Sequence, residues 1–182
     1  MVSRDQGRRQ VQSALARHLL KSGLSRTSLR QLAGAARISD RMLLYYYADK
    51  AEALSAAMTA VAAELAGQLA GAMPGEAQLS PRELVAAAVR FTAGAGARPV
   101  MRLWIEVVAA AARGEAPFPG LASAIAEGFI DWAEARLDPT GLPDPRATAA
   151  GIIALIDGLA VVAVCADEAL VTRAAAVLAD LA

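Results

Sequence analysis

Thr27-Ser28-Leu29-Arg30-Gln31-Leu32-Ala33, followed by Ala36-Arg37-Ile38-Ser39-Asp40-Arg41-Met42-Leu43-Leu44-Tyr45-Tyr46-Tyr47, is the stretch on which the fold turns. Thr27 offers an N-cap oxygen to a helix whose Leu29, Leu32 and Ala33 face inward. Ala36-Arg37-Ile38-Ser39 interrupts that pattern, and Ser39 caps a third helix carrying Met42, Leu43, Tyr46 and Tyr47. Upstream, residues 5–22 place Val11, Ala14, Leu15, His18 and Leu19 on one helical face. Gly23 follows, where a helix C-terminus takes a left-handed residue. Three short helices with a tight bend between the second and third describe a helix-turn-helix. Ala33 is small where two helices approach, Ile38 plugs the bend, and Leu43 and Tyr46 face back into a small core. Asp40, Arg41, Met42 and Leu44 then sit near the exposed start of the third helix, where base edges are read in the major groove.

Outward from this head, helices continue to the end of the chain. Asp49 caps a fourth, with Glu52 completing a capping box, and its stripe of Leu54, Met58, Val61, Leu65 and Leu69 runs to about Ala70. Met73-Pro74-Gly75 breaks the chain, and Ser80-Pro81-Arg82-Glu83 restarts it with an N-cap, a proline at the first position and Glu at the third. Further helices are predicted over Val100 to Arg113, Leu121 to Leu137, Pro145 to about Ala166, and a short amphipathic segment from Leu170 to Leu181. Two of these are apolar on more than one face. Ile152, Ile156, Leu159 and Val162 belong to one, and Leu121, Ile125, Phe129 and Trp132 to the other. A helix apolar all round must be buried on both sides, so these two predict a four-helix interface between two copies of the chain.

Composition agrees and excludes much else. The 182 residues are 56% hydrophobic and 20% charged, with 46 alanines, so an all-α fold is expected. A single Cys (Cys165) and a single His (His18) rule out a Cys/His zinc site, an intrachain disulfide and most His-dependent catalysis. No metal, cofactor or catalytic residue is expected, and no enzyme. Cys165 reads as a small buried hydrophobe and His18 as a core-edge residue. The N-terminus is polar with no apolar signal core, so a cytoplasmic protein without a membrane span is expected, Asp157 interrupting the apolar run at 149–166. The formal charge of zero hides an asymmetry. Residues 1–50 hold 10 basic and 3 acidic side chains, a net +7, and residues 51–182 hold 8 and 15, a net −7. A basic head on an acidic body points to a polyanion partner for the head, most often nucleic acid.

The sequence resembles the tetracycline-repressor (TetR) family of transcription regulators from about Arg9 to Leu54. The resemblance rests on Gly23-Leu24, on the Thr27–Ala33 and Ala36–Ser39 stretches, and on Leu43-Leu44-Tyr45-Tyr46-Tyr47-Ala48-Asp49-Lys50 with Glu52 and Leu54 beyond. It implies an N-terminal helix-turn-helix DNA-binding domain over residues 1–50 and a helical ligand-binding and dimerisation domain over 51–182. By position it implies that Thr27, Tyr45, Tyr46 and Lys50 contact phosphates of double-stranded operator DNA, with Arg41, Asp40, Met42 and Leu44 at the bases. Ser39 caps this reading helix. Arg37 stands where the family carries Gly in the bend; if the position is left-handed, Arg costs about 1 kcal/mol there, which a phosphate contact would offset. Asp40, Tyr45 and Ala48 also depart from the usual pattern.

The same resemblance implies a small-molecule pocket in the body, for which Phe91, Met101, Trp104, Ile105 and Val108 are the candidate lining, with Arg98, Arg102 and Glu106 as polar candidates. The expectation is a homodimeric, ligand-responsive repressor released by a mostly apolar effector. The rival reading is a helical dimeric interaction protein without sequence-specific DNA binding.

Overall fold

A computed structural model describes residues 4–24, 27–72, 78–94 and 96–181, with side chains through residue 179. Met1 to Ser3, Arg26, the break at Met73-Pro74-Gly75 and the side chain of Leu181 lie outside the described residues. The described chain is all-α: α1 (Arg4–Ser22), α2 (Leu29–Ala35), α3 (Asp40–Tyr46), α4 (Lys50–Ala72), α5 (Pro81–Ala93), α6 (Arg98–Ala112), α7 (Phe118–Glu134), α8 (Pro145–Cys165) and α9 (Glu168–Leu181). Among these residues there is no strand, only an isolated parallel bridge between Leu79 and Leu137.

Local chemistry explains most of the helix ends. Gly23 adopts φ +74 after α1, and its N–H reaches the Leu19 carbonyl at 2.8 Å. Ser28, not Thr27, caps α2: the Ser28 hydroxyl accepts the Gln31 N–H at 3.2 Å, while the Gln31 side chain accepts the Ser28 N–H at 2.7 Å. Thr27 is instead buried, its hydroxyl donating to the Gly23 carbonyl at 2.8 Å. Ser39 caps α3 through the Met42 N–H. Asp49 accepts the Glu52 N–H at 2.8 Å, but Glu52 returns its carboxylate to the N–H of Ala48. Ser80 and Glu83 form the box at α5, and the hydrogen bonds from Ser80 hold the Glu83 carboxyl below its usual range. Asp144 caps α8 and Pro145 opens it.

The chain divides into two compact units. The first comprises residues up to Glu64 together with Leu103–Ser123. Leu15, Leu19, Leu32, Leu43 and Val107 are all fully buried in it. The side chain of Gln12 on α1 bonds the Ala56 carbonyl of α4 at 2.8 Å. The second unit comprises Leu65–Arg102 and the chain from Ala124 onward. There α5 packs against α8 and α9 around Leu84, Val85, Val89, Ile152, Leu159 and Val171. Arg146 of α8 joins Glu127, Asp131 (2.6 Å) and Glu134 (3.1 Å) of α7, and the hydrogen bond it donates to the Asp131 carboxylate leads in raising the guanidinium's pKa. These partners are exposed, so the cluster orients the two helices more than it stabilises them.

Two helices, Lys50–Ala72 and Pro145–Cys165, are long and apolar enough to cross a membrane by length and composition alone. The second has mean hydropathy 2.2, yet only 22% of its most apolar window is buried within the chain. Ile152 and Leu159 point into the unit's own core, Ile156 is half-buried, and Val162 is exposed. Exposed beside Val162 are Val161, Val164 and Cys165, and on α9 Leu170 and Val177. Cys165 is thus an exposed thiol, contrary to the buried position expected, because the helix turns that side away from its core.

Candidate nucleic-acid interface

The bend between α2 and α3 is built by two backbone hydrogen bonds. Arg37 N–H reaches the Gly34 carbonyl at 3.1 Å, and Ile38 N–H reaches the Ala33 carbonyl at 3.0 Å. This pair is a Schellman motif, and it requires a left-handed residue just past the helix. Arg37 takes that position with φ +56, the one non-glycine residue with positive φ among those described. Ile38 is half-buried beneath the turn. Replacing Arg37 by Gly removes the Cβ strain and is expected to raise stability by about 1 kcal/mol. Chemical denaturation reads this directly; an unchanged or lower midpoint would show that the Arg37 side chain contributes packing that outweighs its strain.

The short α3 is anchored from beneath by Leu43, fully buried, and by Tyr47 just past its end, 1% exposed. Tyr46, expected in that core, is only half-buried; the extended backbone at Tyr47 (φ −135, ψ 134) turns the later ring inward instead. Burial pushes the Tyr47 phenol above its ordinary pKa. The outer surface of α3 carries Asp40, Arg41, Met42 (44% exposed), Leu44 (45%) and Tyr45 (56%). Large apolar side chains this exposed on a seven-residue helix are uncommon in a purely solvated face. Ser39 and Lys50 bracket the helix, both exposed. Among the described residues no ion pair holds Arg37, Arg41 or Lys50.

Helix α1 braces this surface. The Arg4 guanidinium lies 4.9 Å from the Tyr45 ring centre, and that of Arg8 lies 5.1 Å from Tyr47 while pairing with Glu52 at 2.9 Å. Tyr45 and Tyr46 meet edge to face with ring centres 5.3 Å apart. Gly7 permits this: a Cβ there would lie 2.6 Å from the Tyr46 hydroxyl oxygen. The roles of Gly7, Ser28 and Tyr47 were missed in the sequence; only the Ser28-to-Gln31 spacing carried a local signal for one of them.

The remaining candidates scatter. Phe91 is half-buried and Met101 buried in the second unit, Met101 also lining a void of about 30 Å³ with Thr92, Arg98 and Glu168. That is far smaller than the several hundred Å³ of a small-molecule site. In the first unit, Trp104 and Ile105 are half-buried and Val108 is 42% exposed. On α7, Leu121 is buried and Ile125 half-buried, and Phe129 and Trp132 pack half-buried on the second unit's core. The Arg136 guanidinium covers the Trp132 ring at 4.2 Å. His18 is half-buried with its Nε2 lacking a hydrogen-bond partner.

No protein-family profile matches the chain, and no curated protein matches it. Solved structures do. A transcriptional regulator from Rhodococcus sp. Rha1 superposes with TM-score 0.74 at 20% identity, covering 96% of this chain and 94% of the other. A member of the TetR family from Streptomyces coelicolor A3 gives 0.64 at 25% identity, covering 95% and 98%. The multidrug binding protein EbrR, complexed with proflavin, gives 0.68 at 24% identity, covering 97% and 99%. The chain therefore has the all-helical fold of TetR-family transcription regulators, and these matches are described as regulators or binding proteins rather than enzymes.

Proposed function

We propose that this chain is a cytoplasmic, ligand-responsive transcription regulator that binds a near-palindromic DNA operator as a homodimer and represses from it. The observation that carries the reading is the outer surface of α3. It presents Arg41, Met42, Leu44 and Tyr45 to solvent, flanked by the unpaired cations Arg37 and Lys50, on a head of net charge +7. Arg41 would read guanine bidentately, worth about 1–3 kcal/mol of discrimination. Asp40 would support the helix N-terminus rather than meet a base, since phosphates repel it. Tyr45, Tyr46 and Lys50 would hold phosphates. Thr27 offers such a phosphate no donor, because it is buried, its hydroxyl donates to the Gly23 carbonyl and its N–H to the Leu24 carbonyl. The division of labour would follow the sequence, with residues 1–50 for DNA and 51–182 for effector and partner copy.

The partner copy would cover the exposed apolar side of α8 and α9. EbrR is a multidrug binding protein, and a mostly apolar effector in the body would work here in the same sense. It would favour a dimer whose reading helices no longer match half-sites a helical turn apart, to the extent of its differential affinity for the two states.

Selection of duplexes from a random pool, with affinities then measured at two salt concentrations, tests the reading. A two-fold symmetric motif with steep salt dependence is expected. The double variant Tyr46→Ala, Lys50→Ala should then bind the selected duplex about ten- to a hundredfold more weakly, with a salt slope shallower by about one. An unchanged slope would remove these residues from the contact. Recovery of no motif by folded protein would put the dimeric interaction protein in first place.

A further inference from the structure

The first unit contains a cleft of about 540 Å³ whose lining includes, of the residues expected around an effector, Glu106 but none of the apolar candidates. Its size falls within the range of small-molecule sites, roughly 300–1,000 Å³. The apolar part of its wall is Leu54 of α4, Ala110 of α6 and Phe118 of α7, each under 10% exposed. The charged part is unequal. Arg113 is neutralised by Glu115 beside it. Glu106 turns its carboxylate to the chain following α1, accepting the Leu24 N–H at 2.8 Å and sitting where a Cβ on Gly23 would meet it at 2.5 Å. Lys50 is the lining cation that no carboxylate pairs among the described residues.

We infer that this cleft binds an organic monocarboxylate, its carboxylate on the Lys50 ammonium and its hydrocarbon body against Leu54, Ala110 and Phe118. The inference rests on the proposed DNA role of Lys50 for its consequence, though not for the binding itself. A bound carboxylate occupies the ammonium that the operator phosphate would use. It also fills the space beside the Glu106–Leu24 hydrogen bond, which fixes the connection from α1 to α2. Such a ligand would weaken DNA binding by direct competition at the head, separately from any effector in the body.

Octanoate and its uncharged isostere octanamide are suitable probes for the full chain, with calorimetry as readout. Octanoate should bind at least tenfold more tightly than octanamide. Lys50→Met should erase that preference. Ala109→Trp, which fills the cleft from an exposed position on α6, should abolish binding of both. Octanoate that fails to bind, or binds Lys50→Met and Ala109→Trp as it binds the wild type, would overturn the site. The duplex recovered by selection separates the two ideas. Octanoate should weaken its binding to wild type and leave Ala109→Trp unresponsive. If octanoate binds as described but duplex affinity never responds, the cleft stands and the phosphate role of Lys50 is wrong. If duplex affinity depends on Lys50 but octanoate does not bind, the cleft is wrong and the DNA reading stands.

Discussion

Aspartates placed together at Val161 and Val162 are expected to leave the protein folded but monomeric, and to lower its affinity for a two-half-site duplex by about two to four orders of magnitude. The argument starts from a mismatch between composition and burial. Helix α8 is the more apolar of the two long apolar helices, with mean hydropathy 2.2, but its own core covers only one side of it. The uncovered side runs through Gly151, Ala154, Gly158, the adjacent Val161 and Val162, and Cys165, all exposed and, that pair aside, three or four apart. Small residues along the first half let a second helix approach closely, and valines at the far end supply the area to bury. Leu170 (43% exposed) and Val177 (55%) extend the apolar surface onto α9. In a two-fold interface each aspartate meets the environment of its own copy across the axis, so the charges are both desolvated and mutually repulsive. In the monomer the same positions face water, where a substitution changes stability by about 0.5 kcal/mol or little more. Two linked heads bind the second half-site intramolecularly; two separate heads do not, which is the source of the large loss. Sedimentation equilibrium together with titration of full-site and half-site duplexes measures both effects. A variant that remains dimeric would move the interface elsewhere, and a wild type that is monomeric at micromolar concentration would remove the dimer from the proposed function.

What the sequence disclosed, and what it withheld, follows from the range of the interactions involved. Helix starts at Ser80 and Asp144 were legible because the cap, the proline and, at Ser80, the reciprocal acid lie within four residues of one another. The left-handed Arg37 was legible as a possibility, since a bend between two helices demands such a residue wherever it falls. Thr27 and Ser28 could each have capped α2; Gln31 three residues after Ser28 decides it, and that spacing was available. The three consecutive tyrosines were harder. Which ring is buried depends on whether the helix stops before Tyr47, and a one-residue difference rotates the side chain by about 100°. The outward side of α8 was not legible at all. Periodicity locates a face only by contrast, and Ile152, Ile153, Leu155, Ile156, Leu159, Val161 and Val162 leave almost none, so Ile152 and Leu159 were grouped with Val162 although they are buried and Val162 is exposed. The Glu106 contact with Gly23 and Leu24 joins residues about 80 apart, and no local pattern signals it.

Leu43→Ala is expected to destabilise the protein by about 2–5 kcal/mol and to abolish DNA binding before the rest of the chain unfolds. Helix α3 is seven residues long, well short of the roughly 12–15 at which an isolated helix becomes even marginally stable in water. Its existence therefore depends on tertiary contacts, and Leu43 is the one residue within it that is fully buried. The cap from Ser39 contributes about 1 kcal/mol and cannot replace that burial. Truncation to alanine removes the apolar area and leaves a cavity bounded by the rest of the head, which relaxes only in part. The cost falls on α3 first, because few other contacts hold it, so the reading surface should fray while α5, α8 and α9 keep their own core. Two readouts separate local from global loss. Denaturation followed by tryptophan fluorescence in a Trp104→Phe background reports the second unit, where Trp132 lies, and amide exchange at residues 40–47 reports the head. Leu43→Met, which nearly conserves volume, should cost less than about 1.5 kcal/mol and retain binding. A loss below about 1 kcal/mol for alanine, or unchanged exchange protection in α3, would mean that the reading helix is held by contacts other than the side chain beneath it.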